Sequence, residues 1–235
     1  MIVRAFVSGP EREALLAKAL AHMSRGELTP NASGPGRYFA KADEAPGLYV
    51  DPLLAALTHR CERCLRTAGM AFDGGLGRII SLIMPGGFIH RHRDAYHEGV
   101  PGHRPGSDHL RCNIVVSFPH PSAAPVIDGE ALQLDEARRP PCRPTPQIPA
   151  LSTAHHMSGP LPPRAPTNLA LRTQGDLWAF FASRSDHQTE PLAGTAPRVV
   201  YGFGWAVPTD HAIRAPPGDW RDDSYERLEN RRVRT

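Results

Sequence analysis

A mainly β domain, a barrel or sandwich with helices packed on one side, is what this sequence predicts, and three observations carry that. Apart from a short helix candidate around Tyr225–Asn230 in the tail, helical periodicity is confined to residues 8–69, and from Arg78 onward six segments show strand patterning instead. The 235 residues include 25 prolines and 21 glycines, well above average usage, which suits short strands and turns better than a helical bundle. A chain of this length can bury one sizeable core, and all-β barrels of this size commonly stay undivided. Residues 1–235 are therefore read as a single domain: a strand and helix region over 1–77, a β core over 78–207 and a tail over 208–235.

Taken in order, residues 2–7 alternate as a strand does. Ser8 stands three residues before Glu11, the spacing of a capping box, and Leu15, Leu16, Ala19, Leu20 and Met23 follow as one helical stripe. Residues 25–46 are rich in Gly, Pro, Asn and Ser, with a short strand expected at Arg37–Ala40. Asp51 and Pro52 form a helix start, cap and first turn, and Gly69 offers a stop. On that second helix Cys61 and Cys64 share the apolar face with Leu54, Leu57, Leu65 and Ala68. No second cysteine pair follows at zinc spacing, so both are expected to be buried and inert.

The strands expected next are Arg78–Met84, Phe88–His92, Leu110–Phe118, Val126–Leu134, Asp176–Ala182 and Arg198–Val207. Two insertions interrupt them. Residues 95–108 are rich in Gly and Pro and carry Tyr96, His97, His103 and Arg104; residues 135–171 hold nine prolines and almost no periodicity, the pattern of a loop or polyproline-like segment. Loops of that length inside a compact domain commonly serve as lids or binding loops.

Several function classes are disfavoured. A formal charge of +3, with no block of like charge, gives no footprint for nucleic acid. No window reaches the ~20 apolar residues of a membrane span. The opening strand meets Gly9 and Pro10 too soon to form a signal-peptide core. A cytoplasmic protein with four reduced cysteines is the expectation.

The chemistry centres on Gly86–Asp94. His92 and Asp94 are two apart in a strand pattern, which turns an imidazole and a carboxylate to one face. His187 follows much later, in Ser-Asp-His-Gln-Thr. Two histidines and one carboxylate on one side of a metal, with the other positions open, are the ligand set of non-heme Fe(II) oxygenases. His90 competes with His92, since His90-Arg91-His92 is similar to the His-x-His of cupins, but the glutamate that pattern wants is replaced by Tyr96 and His97. Between His187 and Arg198 the segment Pro191–Pro197 is turn-forming, so a hairpin placing the two side chains on neighbouring strands is expected. Strand Leu110–Phe118 has one polar face, Arg111, Asn113 and Ser117, which either meets solvent or lines a site.

On these motifs the C-terminal two-thirds resembles the Fe(II)/2-oxoglutarate-dependent dioxygenases, nearest the prolyl-4-hydroxylase-like branch. That branch has a Tyr-x-x-Gly strand leading, six residues past the glycine, to His-x-Asp. Here Ile83-Met84-Pro85-Gly86 leads to His92-Arg93-Asp94, with Ile83 in place of the tyrosine. A Gly-Asp strand, a histidine and a basic residue about ten positions later complete the pattern as Gly175-Asp176, His187 and Arg198. The hydroxyl residue often found two positions on is Val200 here, so a second cosubstrate anchor must come from elsewhere.

The resemblance implies a double-stranded β-helix (jelly-roll) barrel with the N-terminal helices on one side. It implies Fe(II) on His92, Asp94 and His187, and 2-oxoglutarate paired with Arg198, whose rigid fork of donors matches a carboxylate. Asn113 is a further cosubstrate candidate, and Arg111, His90 and Tyr96 are candidates for substrate contact. Molecular oxygen would be the other cosubstrate. Related halogenases replace the carboxylate by glycine or alanine, so Asp94 favours hydroxylation. Arginines and histidines near the mouth suggest a small-molecule carboxylate, an amino acid or a peptidyl substrate, with no nucleic-acid or membrane partner. Two alternatives stand beside this: a metal- or ligand-binding barrel without turnover, and a scaffold protein whose proline-rich insertion recruits a partner.

Overall fold

The computed structural model describes residues 2–41, 50–65, 70–72, 77–100, 102–119, 125–128, 167–168 and 174–209. Helix α1 spans Gly9–Ser24 and opens on the expected capping box: Glu11 N donates to Ser8 Oγ at 3.4 Å and Ser8 N to Glu11 Oε2 at 2.8 Å. Helix α2, Pro52–Leu65, is capped by Asp51, whose Oδ1 accepts from Leu54 N at 3.1 Å. Arg60 of α2 grips both oxygens of Glu11, at 3.0 and 2.7 Å, and Phe6 O at 2.9 Å. The cap of one helix is thereby tied to the body of the other.

Twelve strands are described: β1 Ile2–Val3, β2 Thr29–Pro30, β3 Arg37–Lys41, β4 Ala71–Phe72, β5 Arg78–Ile83, β6 Ile89–His92, β7 Ser107–Ser117, β8 Pro125–Asp128, β9 Thr167–Asn168, β10 Leu177–Phe181, β11 Asp186–Thr189 and β12 Arg198–Pro208. They form two antiparallel sheets, ordered β1-β10-β7-β12-β5-β3-β2, with β4 beside β12, and β6-β11-β8-β9. From β5 onward the chain passes back and forth between them: β5, β7, β10 and β12 enter the large sheet, while β6, β8 with β9, and β11 enter the small one. Eight strands interleaved in this way are a jelly roll. It is built as two separate sheets, and they are not hydrogen-bonded into one closed barrel among the described residues.

The two faces of the large sheet divide the labour. One packs its Ile80, Ile114, Tyr201 and Trp205 against Leu15, Leu57 and Cys61 of the helices in one buried cluster. Burial pushes the Cys64 thiol up to about 12 and Cys61 well up too, so both are inert core groups, as expected. The other face looks onto the small sheet, where Ile83 packs with Ile89 and Leu192 and the Phe180 ring meets His187. Gly202 keeps this interior open: a Cβ there would come 2.6 Å from Ile79 Cγ1 and 2.8 Å from Asn113 Oδ1.

Three expectations need correction, and one alternative is decided. The opening strand stops at Val3, because Arg4 and Ala5 turn to bind the Asp176 carboxylate, with Ala5 at φ 49°. The hairpin joining His187 to Arg198 does not form: β11 pairs with β6 and β8, whereas β12 pairs with β4, β5 and β7, so Pro191–Pro197 crosses between sheets. Of the two readings left open for the polar face of β7, the interior one holds for Arg111, 7% exposed, and Asn113, 8% exposed. A strand not expected from the sequence, β11, carries His187. Residues 129–134 of the strand expected at Val126–Leu134, Gly69, the tail beyond Thr209 and most of the insertion at 135–171 lie outside the described residues. No described helix is long and apolar enough to cross a membrane.

Candidate metal centre

β6 and β11 lie side by side with His92 directly opposite His187. Opposed residues of an antiparallel pair share a face, and the two imidazole rings lie 4.2 Å apart, centroid to centroid. A register irregularity follows at once, between His187 and Thr189, a frequent feature beside functional sites. Asp94 lies just past the end of β6, where its backbone N–H donates to Ala182 O at 3.0 Å. Its Oδ1 lies 3.7 Å from both His92 Nε2 and His187 Nε2.

The proton positions follow from the partners. His92 Nδ1 faces His90 O at 2.7 Å, and His187 Nδ1 faces Ser185 O at 3.1 Å. A carbonyl only accepts, so each Nδ1 carries an N–H, and in the neutral ring Nε2 is then the atom with the lone pair. Burial outweighs the pull of Asp94 and holds His187 down to about 4, hence neutral at physiological pH. The other carboxylate oxygen, Oδ2, accepts from Arg111 Nη2 at 3.1 Å. Burial raises the Asp94 pKa, but the charge and hydrogen bond of Arg111, foremost, more than reverse that and hold it well below the usual carboxylate range. His92, Asp94 and His187 offer ligand atoms all within 4.8 Å of one another.

Around this trio the remaining candidates fall into place or outside it. Arg198 starts β12 on the inner face, 3% exposed, with its Nε buried and unbonded. Burial, then the nearby charge of Arg37, lowers its guanidinium to about 10. Asn113 sits opposite Gly202 and Trp178, buried but outside the trio. His90 is exposed and packs its ring against Phe88, contributing only its carbonyl. Tyr96 meets His103 edge-on and lies tilted against His109, and its hydroxyl bonds Ser107 Oγ at 2.9 Å and accepts from Arg104 N at 3.2 Å, which ties it to the start of β7.

Two residues of this interior were not singled out from the sequence. His109 is fully buried, its Nδ1 3.8 Å from Asp94 Oδ2, and neither ring nitrogen has a hydrogen bond. The signal for it was the alternation His109-x-Arg111-x-Asn113, which starts earlier than the expected strand. Arg37 of β3 is the other; no local pattern marks it.

A jelly roll holding a facial pair of histidines and one carboxylate is the class of protein defined here. No family model and no curated protein matches the sequence. Solved structures do. The chain is similar to the non-heme alpha-ketoglutarate-dependent carbocyclase SnoK from nogalamycin biosynthesis, with 16% identity, 97% of this chain and 85% of that one covered, and a TM-score of 0.58. It is similar to the alpha-ketoglutarate-dependent epimerase SnoN of the same biosynthesis, with 15% identity, 94% and 84% covered, and a TM-score of 0.53. It is also similar to a prolyl hydroxylase from Trichoplax adhaerens, solved with a hypoxia inducible factor peptide, with 12% identity, 88% and 83% covered, and a TM-score of 0.52. The chain has the fold of the non-heme 2-oxoglutarate oxygenases, prolyl hydroxylases among them.

Proposed function

We propose that this chain is a non-heme Fe(II) oxygenase that uses 2-oxoglutarate and molecular oxygen to hydroxylate an unactivated C–H bond. The observation that carries the reading is the meeting of His92 Nε2 and His187 Nε2 around Asp94 Oδ1, each 3.7 Å from it, with both Nδ1 atoms turned away onto backbone carbonyls. Three lone pairs so placed repel one another unless a cation joins them. Metal–nitrogen bonds of about 2.0–2.1 Å bring adjacent ligand atoms to about 3 Å, so a small inward movement completes the set. Two imidazoles and a carboxylate on one side suit Fe(II) with open positions opposite.

The residues present fit this group. Fe(II) would be held by His92, Asp94 and His187, and the far carboxylate of 2-oxoglutarate by Arg198, whose buried Nε lacks any other partner. Bound there, iron and cosubstrate supply oxygen activation coupled to oxidative decarboxylation of 2-oxoglutarate to succinate and carbon dioxide. The chain's own residues orient and enclose. The carbonyls of His90 and Ser185 fix the imidazole tautomers, Arg111 fixes the carboxylate, and Trp178 and Phe180 wall the interior against water. Asp94 keeps the position that related halogenases vacate, which favours hydroxylation.

His97 and Arg104 are exposed in the segment that follows Asp94, whereas Arg91 and Arg93 are both bonded to Asp186 on the face of the small sheet turned away from His92 and His187. The cationic side chains after Asp94 support an anionic substrate: an amino acid, another small carboxylate, or a peptidyl residue. The experiment is anaerobic addition of Fe(II) and 2-oxoglutarate, which should give a visible metal-to-ligand charge-transfer band that His187→Ala abolishes. A wild type without the band, or a variant that keeps it, overturns the reading. Gain of one oxygen atom in a turned-over substrate identifies hydroxylation; loss of two hydrogens identifies desaturation or ring closure.

A further inference from the structure

Arg37, Ile83 and Arg198 lie in one row across three neighbouring strands: Ile83 is paired with Arg37 of β3 on one side and with Arg198 of β12 on the other. Residues in such a row share a face. Here it is the inner one, where Ile83 packs toward the small sheet. Two guanidiniums therefore flank one apolar side chain in the interior. Arg37 donates from Nε to Ser81 Oγ at 3.1 Å and from Nη1 to Asn31 Oδ1 at 3.3 Å and to Ser33 Oγ, which leaves Nη2 without a bond. Arg198 Nε has none either.

Neither arginine has a carboxylate partner among the described residues. The charge of Arg37 is close enough to depress Arg198, and Arg37 in turn feels the charges of Asp94 and Arg111. A buried cation facing a half-buried one across a single intervening strand is unfavourable unless an anion joins them.

We propose that Arg37 is a second anchor for the far carboxylate of 2-oxoglutarate, offering Nη2 to the anion that Arg198 holds from the other side of Ile83. This rests on the functional reading above. It resolves the gap noted in the sequence, where Ile83 and Val200 stand in place of the hydroxyl residues of similar enzymes. The missing donor comes from the next strand of the ladder. A site end with two cations selects for a dicarboxylate, because a charge-assisted hydrogen bond is worth about 10- to 100-fold in affinity.

The test is anaerobic titration of the Fe(II)-loaded protein with 2-oxoglutarate and with 2-oxobutanoate, which lacks the far carboxylate, both followed by the charge-transfer band. Arg37→Met should raise the Kd for 2-oxoglutarate about tenfold or more. The same change should leave 2-oxobutanoate within about twofold, and Arg37→Lys should recover part of the loss, since a point charge replaces the fork. Asn31→Ala loosens the same hairpin without removing the guanidinium and should leave both affinities within about twofold. An unchanged 2-oxoglutarate Kd in Arg37→Met, equal weakening of both ligands, or an equal loss in Asn31→Ala overturns the proposal. Failure of the functional reading looks different: no band in wild type, or no loss of 2-oxoglutarate affinity in Arg198→Met.

Discussion

Arg111 Nη2 holds Asp94 by Oδ2, at 3.1 Å, and this contact decides which carboxylate oxygen is left to face the histidines. Oδ1, turned to His92 and His187, accepts no hydrogen bond among the described residues. Groups that orient a ligand in this way commonly contribute 10- to 100-fold to metal affinity. Arg111→Met is expected to weaken Fe(II) or Co(II) binding by about that factor, read by anaerobic titration. Unchanged metal affinity would mean that other contacts align the carboxylate.

Two buried neutral histidines make the metal-free protein acid-sensitive. His187 is held down from 6.5 to about 4 and His109 from 6.5 to about 3, in both cases chiefly by burial. The unfolded chain therefore binds more protons than the folded one below pH 6.5, so their stabilising effect is complete above that value and is lost as pH falls toward the folded values. The slope is up to about 1.4 kcal/mol per pH unit for each histidine. Asp94, with its pKa lowered, loses its contribution only at still lower pH. Melting temperatures in chelator should drop from pH 7 to pH 5, and His109→Phe should flatten the drop by roughly half. Equal slopes in the two proteins would sink this account of His109.

Glu11 and Arg60 are 4% and 8% exposed and bonded through both carboxylate oxygens. Removing one partner leaves a buried charge uncompensated, so Arg60→Met should cost about 3–5 kcal/mol in denaturant unfolding. Pairing it with Glu11→Gln should recover a large part. If the double variant is no more stable than the single one, the lost contact with Phe6 O dominates instead.

Gly202→Ala should destabilise by about 1–3 kcal/mol, as overpacking does, because its Cβ would fall within 3 Å of Ile79 and Asn113. Shortening Ile79 to alanine in the same chain should restore part of the loss beyond the cost of Ile79→Ala alone. Simple additivity of the two changes would show that the clash is absorbed elsewhere.

Much of the fold was legible because its signals are local. The Ser8 to Glu11 spacing marked α1, Asp51-Pro52 marked α2, and the alternation around Arg78, Arg111 and Arg198 marked three long neighbours of the large sheet. β11 escaped notice because Asp-His-Gln-Thr is short and polar, and its strand character comes from β6 and β8 on either side. The supposed hairpin to Arg198 failed for a related reason. A turn-forming segment specifies a reversal of direction, and here the chain used it to change sheets, with Leu192 buried against Ile83 and Ile89.

By itself the sequence determined the class of fold and turned His92 and Asp94 to one side, since residue spacing decides which side chains share a face of one strand, while His187 was named by motif order alone. Only the tertiary structure decided that His187 stands opposite His92, that Arg111 turns Asp94, and that Arg37 reaches the row of Ile83 and Arg198. The register between strands from distant parts of the chain is set by hydrogen-bond ladders and packing across the whole core. No short stretch of sequence contains that information.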